Sequence, residues 1–401
     1  MERLKISTAG ESHGKALIGI IDGIPSNMSL EVDNINQQLK RRQLGYGRGG
    51  RMNIEQDQVE IISGVRWGKT LASPIALKIE NRDWANWQKG MSVLSQDDGS
   101  IAPVTRARPG HADLTGSIKY GFKDIRNVLE RSSARESAMR VALGAVCRAF
   151  LAEFDIFVGS LVIRIGSAGR RSHPLSMKDD SGLRDINNTL IGLSQRADTS
   201  VVRCPFEEDS AQMVKVIDDA KDRGDTVGGI FEVFAVGLPV GLGSHVHWDK
   251  RLNGQLAQAI SSIQAVKGVE FGVGFDLSEL YGSKLMDEIS YSPGTGFYRR
   301  SNFAGGIEGG MTNGMPLIIR AVMKPIPTQR KPLNTTDIIT KEVKEAAYER
   351  SDVCAVPACS VIAEAMTTMV LTDSMLSKFG GDSIQETKNN YENYLKYVGE
   401  F

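Results

Sequence analysis

Two long apolar segments constrain the fold of this chain more than any other feature of its sequence. Residues 134–154 carry apolar side chains at helical spacing with almost no helix-breaking residue, which predicts a largely buried helix. Residues 358–379 have the same character and are followed by Gly380 and Gly381, a residue type that commonly ends helices. Both segments are therefore expected to lie inside the protein.

The other segments mix strand and helix patterns without a regular alternation. Strand patterns occupy residues 4–8, 16–21, 59–62, 75–79, 157–165, 229–236 and 316–322. Helix patterns occupy residues 32–42, 210–223, 249–263 and 336–348, and residues 81–108 form a long irregular insertion. Because strands and helices do not alternate regularly, the sequence favours an α+β fold over a doubly wound parallel sheet.

A short string recurs before each long apolar segment. Glu130-Arg131-Ser132 precedes the first, and Glu349-Arg350-Ser351 precedes the second. Each arginine would then lie near a helix N-terminus, a position that favours anions. An internal duplication is one interpretation of this recurrence, and chance recurrence of a three-residue string is the other.

The balance of charges limits the partners of the chain. Its 401 residues include 48 basic and 48 acidic residues, so the formal net charge is zero. Proteins that bind nucleic-acid backbones usually carry a clear basic excess, so no nucleic-acid partner is expected. Hydrophobic residues make up 41% of the chain, an ordinary globular composition, and the length by itself suggests two or three domains.

Three further features predict a cytoplasmic protein. The first residues contain no long apolar core of the kind that signal peptides have. Apolar runs such as residues 233–246 are interrupted by Gly, Pro and Ser, so no membrane span is expected. The cysteines Cys147, Cys204, Cys354 and Cys359 lack CxxC spacing, which favours buried thiols in a reducing compartment.

Two histidines lie on turns beside charged residues. His13 belongs to the string GESHG, and His111 lies between an arginine and an aspartate in the string RARPGHAD. A cation and a carboxylate beside an imidazole can set its pKa near neutrality, as general acid catalysis requires. A structural or exposed histidine is the alternative in each case. His245 and His247 alternate as on a strand but lack further ligands nearby, so ordinary strand histidines are favoured and no metal is expected.

Two clusters of arginine point to an anionic ligand. Residues 40–51 carry four arginines and a lysine among glycines without an acidic residue, and residues 130–141 carry arginines and serines around a predicted helix start. Guanidinium groups bind carboxylates and phosphates bidentately, and helix N-termini favour anions. A solvated basic loop and a helix-capping cluster are the alternatives, and an RNA-binding module is disfavoured because stacking aromatics are not interleaved.

Established catalytic motifs narrow the enzyme classes further. The chain contains no Walker phosphate loop, no HExxH and no GxSxG, which excludes P-loop kinases, zincins and α/β-hydrolases. The glycines of residues 45–50 follow a helix pattern and not a strand, so they do not form a dinucleotide-binding loop.

Taken together, the motifs resemble those of the chorismate synthase family along essentially the whole chain. The resemblance rests on GESHG at 10–14, ERSSARESAMRVALG at 130–144 and RSDVC at 350–354, with RRQLGYGRG, RPGHADLTG, QAVKGVEFG and MKPIPT in the family's order. It implies one compact domain over residues 1–401, with antiparallel sheets around a helical core and internal pseudosymmetry. It also implies a homotetramer.

The resemblance implies a lyase that converts 5-enolpyruvylshikimate 3-phosphate to chorismate by 1,4-elimination of phosphate, with reduced FMN as a cofactor. NADPH-dependent flavin reduction is an additional or separate activity that some members have, and a separate flavin reductase is the alternative source of reduced cofactor. Ser351 and Val353 depart from the family's third motif, whereas Arg350, Asp352 and Cys354 match it.

The resemblance also implies roles for individual residues. His13 would protonate the departing phosphate, His111 would protonate the reduced flavin, and Asp352 would take a proton from flavin N5. The positions that match the family's substrate-binding residues are Ser12, Arg42, Arg48, Arg51, Arg108 and Arg135. The positions that match its flavin-binding residues are Arg131, Ser132, Ser133, Gln264, Ala265, Gly309, Lys324, Pro325, Ile326, Pro327, Thr328 and Arg350.

Overall fold

The computed structural model describes residues 1–49, 55–170, 186–294, 296–346 and 352–401 of the chain. The strands in these residues are β1 (Lys5–Ala9), β2 (Ala16–Asp22), β3 (Val59–Ser63), β4 (Val65–Arg66), β5 (Lys69–Thr70), β6 (Ile75–Glu80), β7 (Phe157–Ile165), β8 (Ala168–Gly169), β9 (Gly229–Val236), β10 (Val266–Phe271), β11 (Ile289–Ser292), β12 (Gly296–Arg299), β13 (Ile307–Glu308), β14 (Met311–Thr312), β15 (Leu317–Met323), β16 (Asn334–Thr336) and β17 (Val343–Glu345). The α-helices are α1 (Val32–Gln43), α2 (Trp84–Trp87), α3 (Asp113–Tyr120), α4 (Arg126–Ser132), α5 (Ser137–Ala152), α6 (Ile186–Thr199), α7 (Glu207–Asp222), α8 (Leu252–Ser261), α9 (Gly282–Leu285), α10 (Val356–Phe379) and α11 (Ile384–Glu400).

Two antiparallel sheets repeat one topology in the two halves of the chain. The first sheet has the strand order β1-β2-β6-β3, and the second has the order β7-β9-β15-β10 with the short strand β8 at its edge. The strands of the two sheets and three of the helices follow the same order in each half, with further elements between them. The order is β1, β2, α1, β3, β6, α5 in the first half and β7, β9, α8, β10, β15, α10 in the second. This repetition supports the internal duplication, and the antiparallel pairing confirms the α+β class. The second Glu-Arg-Ser string lies outside the described residues.

The two sheets differ in how their outer faces are covered. In β2, Leu17 and Ile21 are buried whereas Ile18 and Ile20 are exposed, as expected for a strand with one covered face. Strand β9 is buried on both faces, because helix α6 packs over the outer face of the second sheet through a separate apolar cluster. Helix α6 was not predicted from the sequence, and it explains why residues 157–165 and 229–236 are apolar almost throughout.

Helices α5 and α10 pack against each other between the sheets. Helix α5 contacts the first sheet and α10 the second, and the main hydrophobic core extends through both halves. The two helices approach closely at Gly144, where an added Cβ would lie 2.4 Å from the Cβ of Ala365. At the same level, the Oγ1 of Thr368 donates a hydrogen bond of 3.0 Å to the carbonyl of Gly144. The burial of both apolar segments is thereby confirmed.

A carboxylate inside the helical layer connects four elements. Glu364 on α10 accepts hydrogen bonds from Arg41 at 2.7 Å, Arg148 at 2.5 Å, Arg203 at 3.2 Å and Ser160 at 2.6 Å. Burial would raise the pKa of Glu364, but the surrounding guanidinium groups outweigh it and lower this pKa to about 2. The cluster ties α1, α5 and β7 to the middle of α10.

The helix predicted for residues 336–348 is wrong. Strands β16 and β17 form a hairpin in this part of the chain. The carboxylate of Asp337 accepts hydrogen bonds from the backbone N–H groups of Ile339 at 2.9 Å and Thr340 at 3.0 Å, and Lys341 has a φ of 64°. An aspartate that binds the backbone two and three residues ahead favours a turn over a helix. Residues 347 and 348 lie outside the described part.

The start predicted for the first long helix is also wrong. Residues 130–132 do not precede α5 directly but form the C-terminal end of the separate helix α4. The chain leaves helical geometry at Ser133, with ψ of 142°, and α5 begins at Ser137 after a single 3₁₀ turn. Arg131 of this string and Arg135 therefore lie at the junction between two helices. Similarly, α8 begins at Leu252, three residues after the predicted start.

Helix α10 is long and apolar enough to cross a bilayer by length and composition. Its apolar window is entirely buried inside the fold, as in the core helix of a soluble protein. Among the described helices it is alone in meeting both criteria, which is weak evidence for a membrane span. The cytoplasmic compartment stays a prediction.

Candidate active site

A cleft of about 650 Å³ collects most of the residues singled out in the sequence. Its walls come from both halves of the chain: the turn between β1 and β2, the loop after α1, the segment before α3, the junction of α4 and α5, the end of α8 with the start of β10, the end of β15, and the start of α10. The lining combines cationic side chains with an apolar wall. Such a combination suits a ligand that is both charged and partly flat.

Two arginines in the cleft share one buried carboxylate. The side chain of Asp57 accepts a hydrogen bond of 3.3 Å from Arg42 and pairs through its other oxygen with Arg135. Arg135 Nε also donates to the side chain of Asn81 at 2.9 Å, and Arg42 Nε donates to Ser137 at 3.0 Å. Each guanidinium group is therefore held in a fixed orientation, which favours bidentate binding of an anion.

The cleft concentrates more positive charge than its carboxylates offset. Burial lowers the pKa of Arg42 to about 10, and the neighbouring guanidinium groups of Arg48 and Arg135 contribute to this decrease while Asp57 opposes it. An anion that entered the cleft would relieve the repulsion between these cations. The electrostatics therefore favour a polyanionic ligand.

His13 is oriented by a buried glutamate. Its ring Nδ1 donates a hydrogen bond of 2.8 Å to Glu130 Oε1, and its backbone N–H donates one of 2.7 Å to Glu130 Oε2. Because the carboxylate occupies Nδ1, the atom that remains for chemistry is Nε2. Glu130 lies on α4, 117 positions away in the sequence, so no local pattern identifies it as the partner.

His111 lies between the arginine and the aspartate that flank it in sequence. Its Nδ1 is 2.5 Å from Asp113 Oδ1, and Arg108 donates to Asp113 through Nε at 2.8 Å. Burial would raise the pKa of Asp113, but the hydrogen bonds from His111 and Arg108 outweigh it and hold that pKa well below its usual range. The expected cation and carboxylate beside His111 are confirmed.

Asp352, which lies just before α10, connects this part of the chain to the loop that contains Arg48 and Gly49. Its Oδ1 accepts a hydrogen bond of 2.6 Å from the backbone N–H of Gly49, and its Oδ2 is 2.9 Å from Arg48 Nη1. The carboxylate thus lies in the cleft beside an arginine that also lines it.

The apolar wall contains features that fit a flat ring with N–H groups. The wall is formed by Leu129, Ile263, Val266, Met323, Ile326 and Ile362. Beside it, the buried Gln264 Oε1 has no hydrogen-bond partner among the described residues. Ala265 has a φ of 67°, and its carbonyl accepts a hydrogen bond of 2.9 Å from the backbone N–H of Lys324. A buried acceptor without a partner is ready to accept an N–H from a ligand.

The structure brings together most of the predicted site residues. The cleft is lined by Ser12, His13, Arg42, Arg48, Arg108, His111, Ser132, Ser133, Arg135, Gln264, Ala265, Lys324, Ile326, Pro327, Thr328 and Asp352. Pro325 lies between two of these residues without lining the cleft itself. Arg51 and Arg350 lie outside the described residues.

Two predicted flavin-binding residues lie elsewhere in the chain. Arg131 is turned toward the β1–β2 region, where it donates hydrogen bonds to the carbonyls of Thr8 at 2.9 Å and Gly10 at 3.0 Å. Gly309 lies in the turn between β13 and β14, next to His245. Neither residue lines the cleft. Because the guanidinium of Arg131 donates its hydrogen bonds to these carbonyls, the side chain is oriented away from the cleft.

Several supporting residues could not be identified from the sequence. Asp57 and Glu130 hold cleft residues that are distant in the chain, and Trp87 and Asp83 of the irregular insertion contact His13. None of these residues is singled out by a sequence motif, because the role of a carboxylate or an indole becomes visible only when its spatial neighbours are known.

His245 and His247 lie outside the cleft, whereas Cys359 is one of its lining residues. No group of three or more histidine, cysteine or acidic side chains in the described parts of the chain is arranged to hold a metal ion. His247 lies in an exposed bend and pairs with Asp249 at 2.5 Å, so the strand expected here is wrong. The four cysteines are buried and unpaired, and burial raises the pKa of each thiol.

Two oriented histidines and several fixed arginines in one cleft define an acid–base enzyme for a small polyanion. Comparison with known proteins agrees with this class. The family model described as chorismate synthase matches residues 4–376. The chorismate synthase of Aquifex aeolicus is 52% identical over 398 residues, covering 99% of both chains, and that of Geotalea uraniireducens is 54% identical over 403 residues, covering 98% of this chain and 99% of its own.

A solved structure extends the similarity to the fold. A crystal structure of chorismate synthase superposes with a TM-score of 0.79 at 44% sequence identity, covering 99% of each chain. The chain therefore belongs to the chorismate synthase family. This membership confirms the resemblance predicted from the motifs and places the chain among the lyases.

Proposed function

We propose that the chain converts 5-enolpyruvylshikimate 3-phosphate to chorismate by 1,4-elimination of phosphate. The observation that carries the proposal is the single cleft that His13, His111 and the arginines share. The substrate carries two carboxylates and a phosphate, and fixed guanidinium groups bind both kinds of anion. Family membership supports the same activity.

The departing phosphate is assigned to His13 and the adjacent arginines. Nε2 of His13 donates a proton to the oxygen that leaves with the phosphate, and Glu130 stabilises the imidazolium through Nδ1. Arg42 and Arg135 are already oriented by Asp57 before the substrate binds. Such preorganised donors stabilise negative charge as it develops on the leaving group.

Reduced FMN is the cofactor that the apolar side of the cleft fits. Gln264 offers a buried acceptor, Lys324 a cation and Thr328 a hydroxyl, and the residues that complete the set are Ser132, Ser133, Ala265, Ile326 and Pro327. When bound, the reduced flavin supplies electron density that assists removal of the unactivated ring proton. The chain supplies binding, orientation and the placement of protons.

Two residues are assigned to proton transfer on the cofactor side. His111 is fixed by Asp113 at Nδ1, and Arg108 Nη2 lies 3.4 Å from its Nε2. We assign to Nε2 the donation of a proton into the cleft. The carboxylate of Asp352, held by Arg48 and the N–H of Gly49, is placed to accept one. Both groups are anchored by a second residue, as catalytic acids and bases require.

An anaerobic assay tests the proposal. The protein is incubated with 5-enolpyruvylshikimate 3-phosphate and chemically reduced FMN, and chorismate and inorganic phosphate are measured together. We expect both products to form with reduced FMN and neither with oxidised FMN alone. Absence of both products with reduced FMN would contradict the proposed function.

The source of reduced cofactor stays a prediction of the sequence analysis. Oxidised FMN and NADPH replace reduced FMN in the same anaerobic assay. Chorismate formation would assign flavin reduction to the chain itself. If chorismate appears only after a flavin reductase is added, a separate reductase is the partner.

A further inference from the structure

The irregular insertion begins at the turn that carries His13. The side-chain amide of Asn81 donates hydrogen bonds to the carbonyls of Glu11 at 3.1 Å and Gly14 at 2.8 Å, which lie on either side of His13. The same side chain accepts the hydrogen bond from Arg135. The insertion is thus fastened to the histidine turn and to the arginine pair at its first residue.

An aromatic side chain of the insertion covers the imidazole. The rings of Trp87 and His13 are stacked, with centroids 4.4 Å apart and an angle of 29° between their planes. The guanidinium of Arg126 lies 4.8 Å from the Trp87 ring centroid, and Arg126 is also 3.7 Å from Glu130. Trp87 therefore packs against the guanidinium of Arg126, which also lies close to Glu130, the carboxylate partner of His13. A ring held in this way can restrict rotation of the imidazole and exclude water from one of its faces.

A carboxylate of the same turn faces the reactive edge of the imidazole. Asp83 Oδ2 is 3.8 Å from His13 Nε2, too far for a hydrogen bond but close enough for electrostatic attraction. Its other oxygen accepts a hydrogen bond of 2.8 Å from Asn86. With Glu130 at Nδ1 and Asp83 near Nε2, the imidazolium has a carboxylate at each nitrogen.

We propose that Asp83 and Trp87 are positioning residues for His13. Trp87 fixes the plane of the imidazole at the wall of the cleft, and Asp83 keeps a counter-charge near Nε2 until the phosphate group replaces it. This assigns a purpose to residues 81–87. The proposal rests on the proposed role of His13 as proton donor to phosphate, but the ring contact can be tested without turnover.

The contact is tested by fluorescence of a protein in which Trp87 is the one tryptophan. Trp67, Trp84 and Trp248 are each replaced by phenylalanine, and emission is followed across the pH range in which histidines titrate. Protonated imidazole quenches an indole that it contacts, so emission should fall as pH is lowered. His13→Gln in the same background should abolish this fall. Emission that is the same with and without His13 at every pH, or a dependence on pH that survives His13→Gln, would overturn the proposed contact.

The positioning role is tested by kinetics of the full enzyme with reduced FMN. Trp87→Ala should lower kcat by roughly tenfold to a hundredfold, the usual cost of a misplaced catalytic group, with the KM for substrate and the affinity for FMN nearly unchanged. Trp87→Phe should restore most of the rate. Trp84→Ala, on the same helical turn, is the matched control because Trp84 has no described ring contact with His13.

The outcomes separate this inference from the proposed function. If the wild-type protein forms chorismate and Trp87→Ala does so at the same rate, the positioning role is overturned. If the wild-type protein forms no chorismate, the proposed function fails while the fluorescence result still decides whether the two rings are in contact.

The role of Asp83 is tested by inhibition with inorganic phosphate. Because Asp83 competes with phosphate for the same side of the imidazole, Asp83→Asn should strengthen this inhibition. Unchanged or weaker inhibition would contradict the assigned role.

Discussion

At the scale of single residues, the site depends on carboxylates that hold the catalytic cations. Local sequence locates His13, His111 and the arginines, because glycine turns and charged neighbours are visible within a few positions. It also locates Asp113, which is two residues from His111. It does not locate Asp57 or Glu130 as partners, because their contacts join parts of the chain that only folding brings together.

His13 is the residue whose loss should affect chemistry most. His13→Ala removes the proton donor to the leaving phosphate and should lower kcat by about 10²–10⁴, the usual contribution of general acid catalysis. Anaerobic turnover with reduced FMN measures the effect. His247→Ala, which alters an exposed histidine paired with Asp249, is the control and should retain full activity. Equal rates for the two variants would reject the role of His13.

Asp57 should matter for the arginine pair. Asp57→Asn leaves Arg42 and Arg135 without their shared negative charge, so their guanidinium groups should reorient and kcat/KM should fall at least about tenfold. Asp33→Asn, which changes an exposed carboxylate on the first turn of α1, should leave kcat/KM unchanged. An Asp57→Asn enzyme with wild-type kcat/KM would show that the arginines do not depend on this carboxylate.

At the scale of elements, periodicity predicted the long segments well and failed where side chains bind the local backbone. The sheet strands were located to within a residue or two in most cases, and both apolar helices were correct in type. The failures include the β16–β17 hairpin, where Asp337 forms a turn, the break at Ser133 between α4 and α5, and the strand expected at His247. Strand β10 and helix α11 were not predicted either. Helix α6 was missed because the sheet face that it covers is known only from the fold.

Glu364 should contribute strongly to the stability of the helical layer. Glu364→Gln leaves the guanidinium group of Arg148 without its carboxylate, while Arg41 and Arg203 keep only Asp198. It should lower the free energy of unfolding by about 3–5 kcal/mol. Denaturant titration at neutral pH measures this change. Glu153→Gln, which breaks a partly exposed pair with Lys388, should cost no more than about 1 kcal/mol. Similar losses for both variants would contradict the account.

The same carboxylate predicts a dependence of stability on pH. The pKa of Glu364 is lowered from 4.5 to about 2 in the folded chain, so the folded state binds fewer protons at this group than the unfolded state does. Its contribution should therefore be fully present above about pH 4.5 and lost as pH falls toward 2. In Glu364→Gln, this part of the acid destabilisation should be absent.

At the scale of the whole molecule, the repeated topology explains where the cleft lies. Two copies of one arrangement of strands and helices meet through α5 and α10, and loops from both copies line the site. The recurring Glu-Arg-Ser string suggested a duplication, but the matching strand orders appear only in the fold. Motifs distributed along the chain allowed the family to be identified before the cleft could be described.

The homotetramer stays a prediction of the sequence analysis. We expect light scattering coupled to size-exclusion chromatography to give the mass of four chains. A monomer at micromolar concentration would contradict this expectation.

The proposed 1,4-elimination removes a proton and a phosphate from the substrate, so reduced FMN should undergo no net oxidation. An anaerobic single turnover with enzyme, reduced FMN and 5-enolpyruvylshikimate 3-phosphate tests it directly, with chorismate, phosphate and flavin absorbance followed in one sample. We predict one chorismate and one phosphate for each substrate consumed, with the flavin fully reduced at the end. Absence of phosphate release, or oxidation of one flavin for each substrate consumed, would contradict the account.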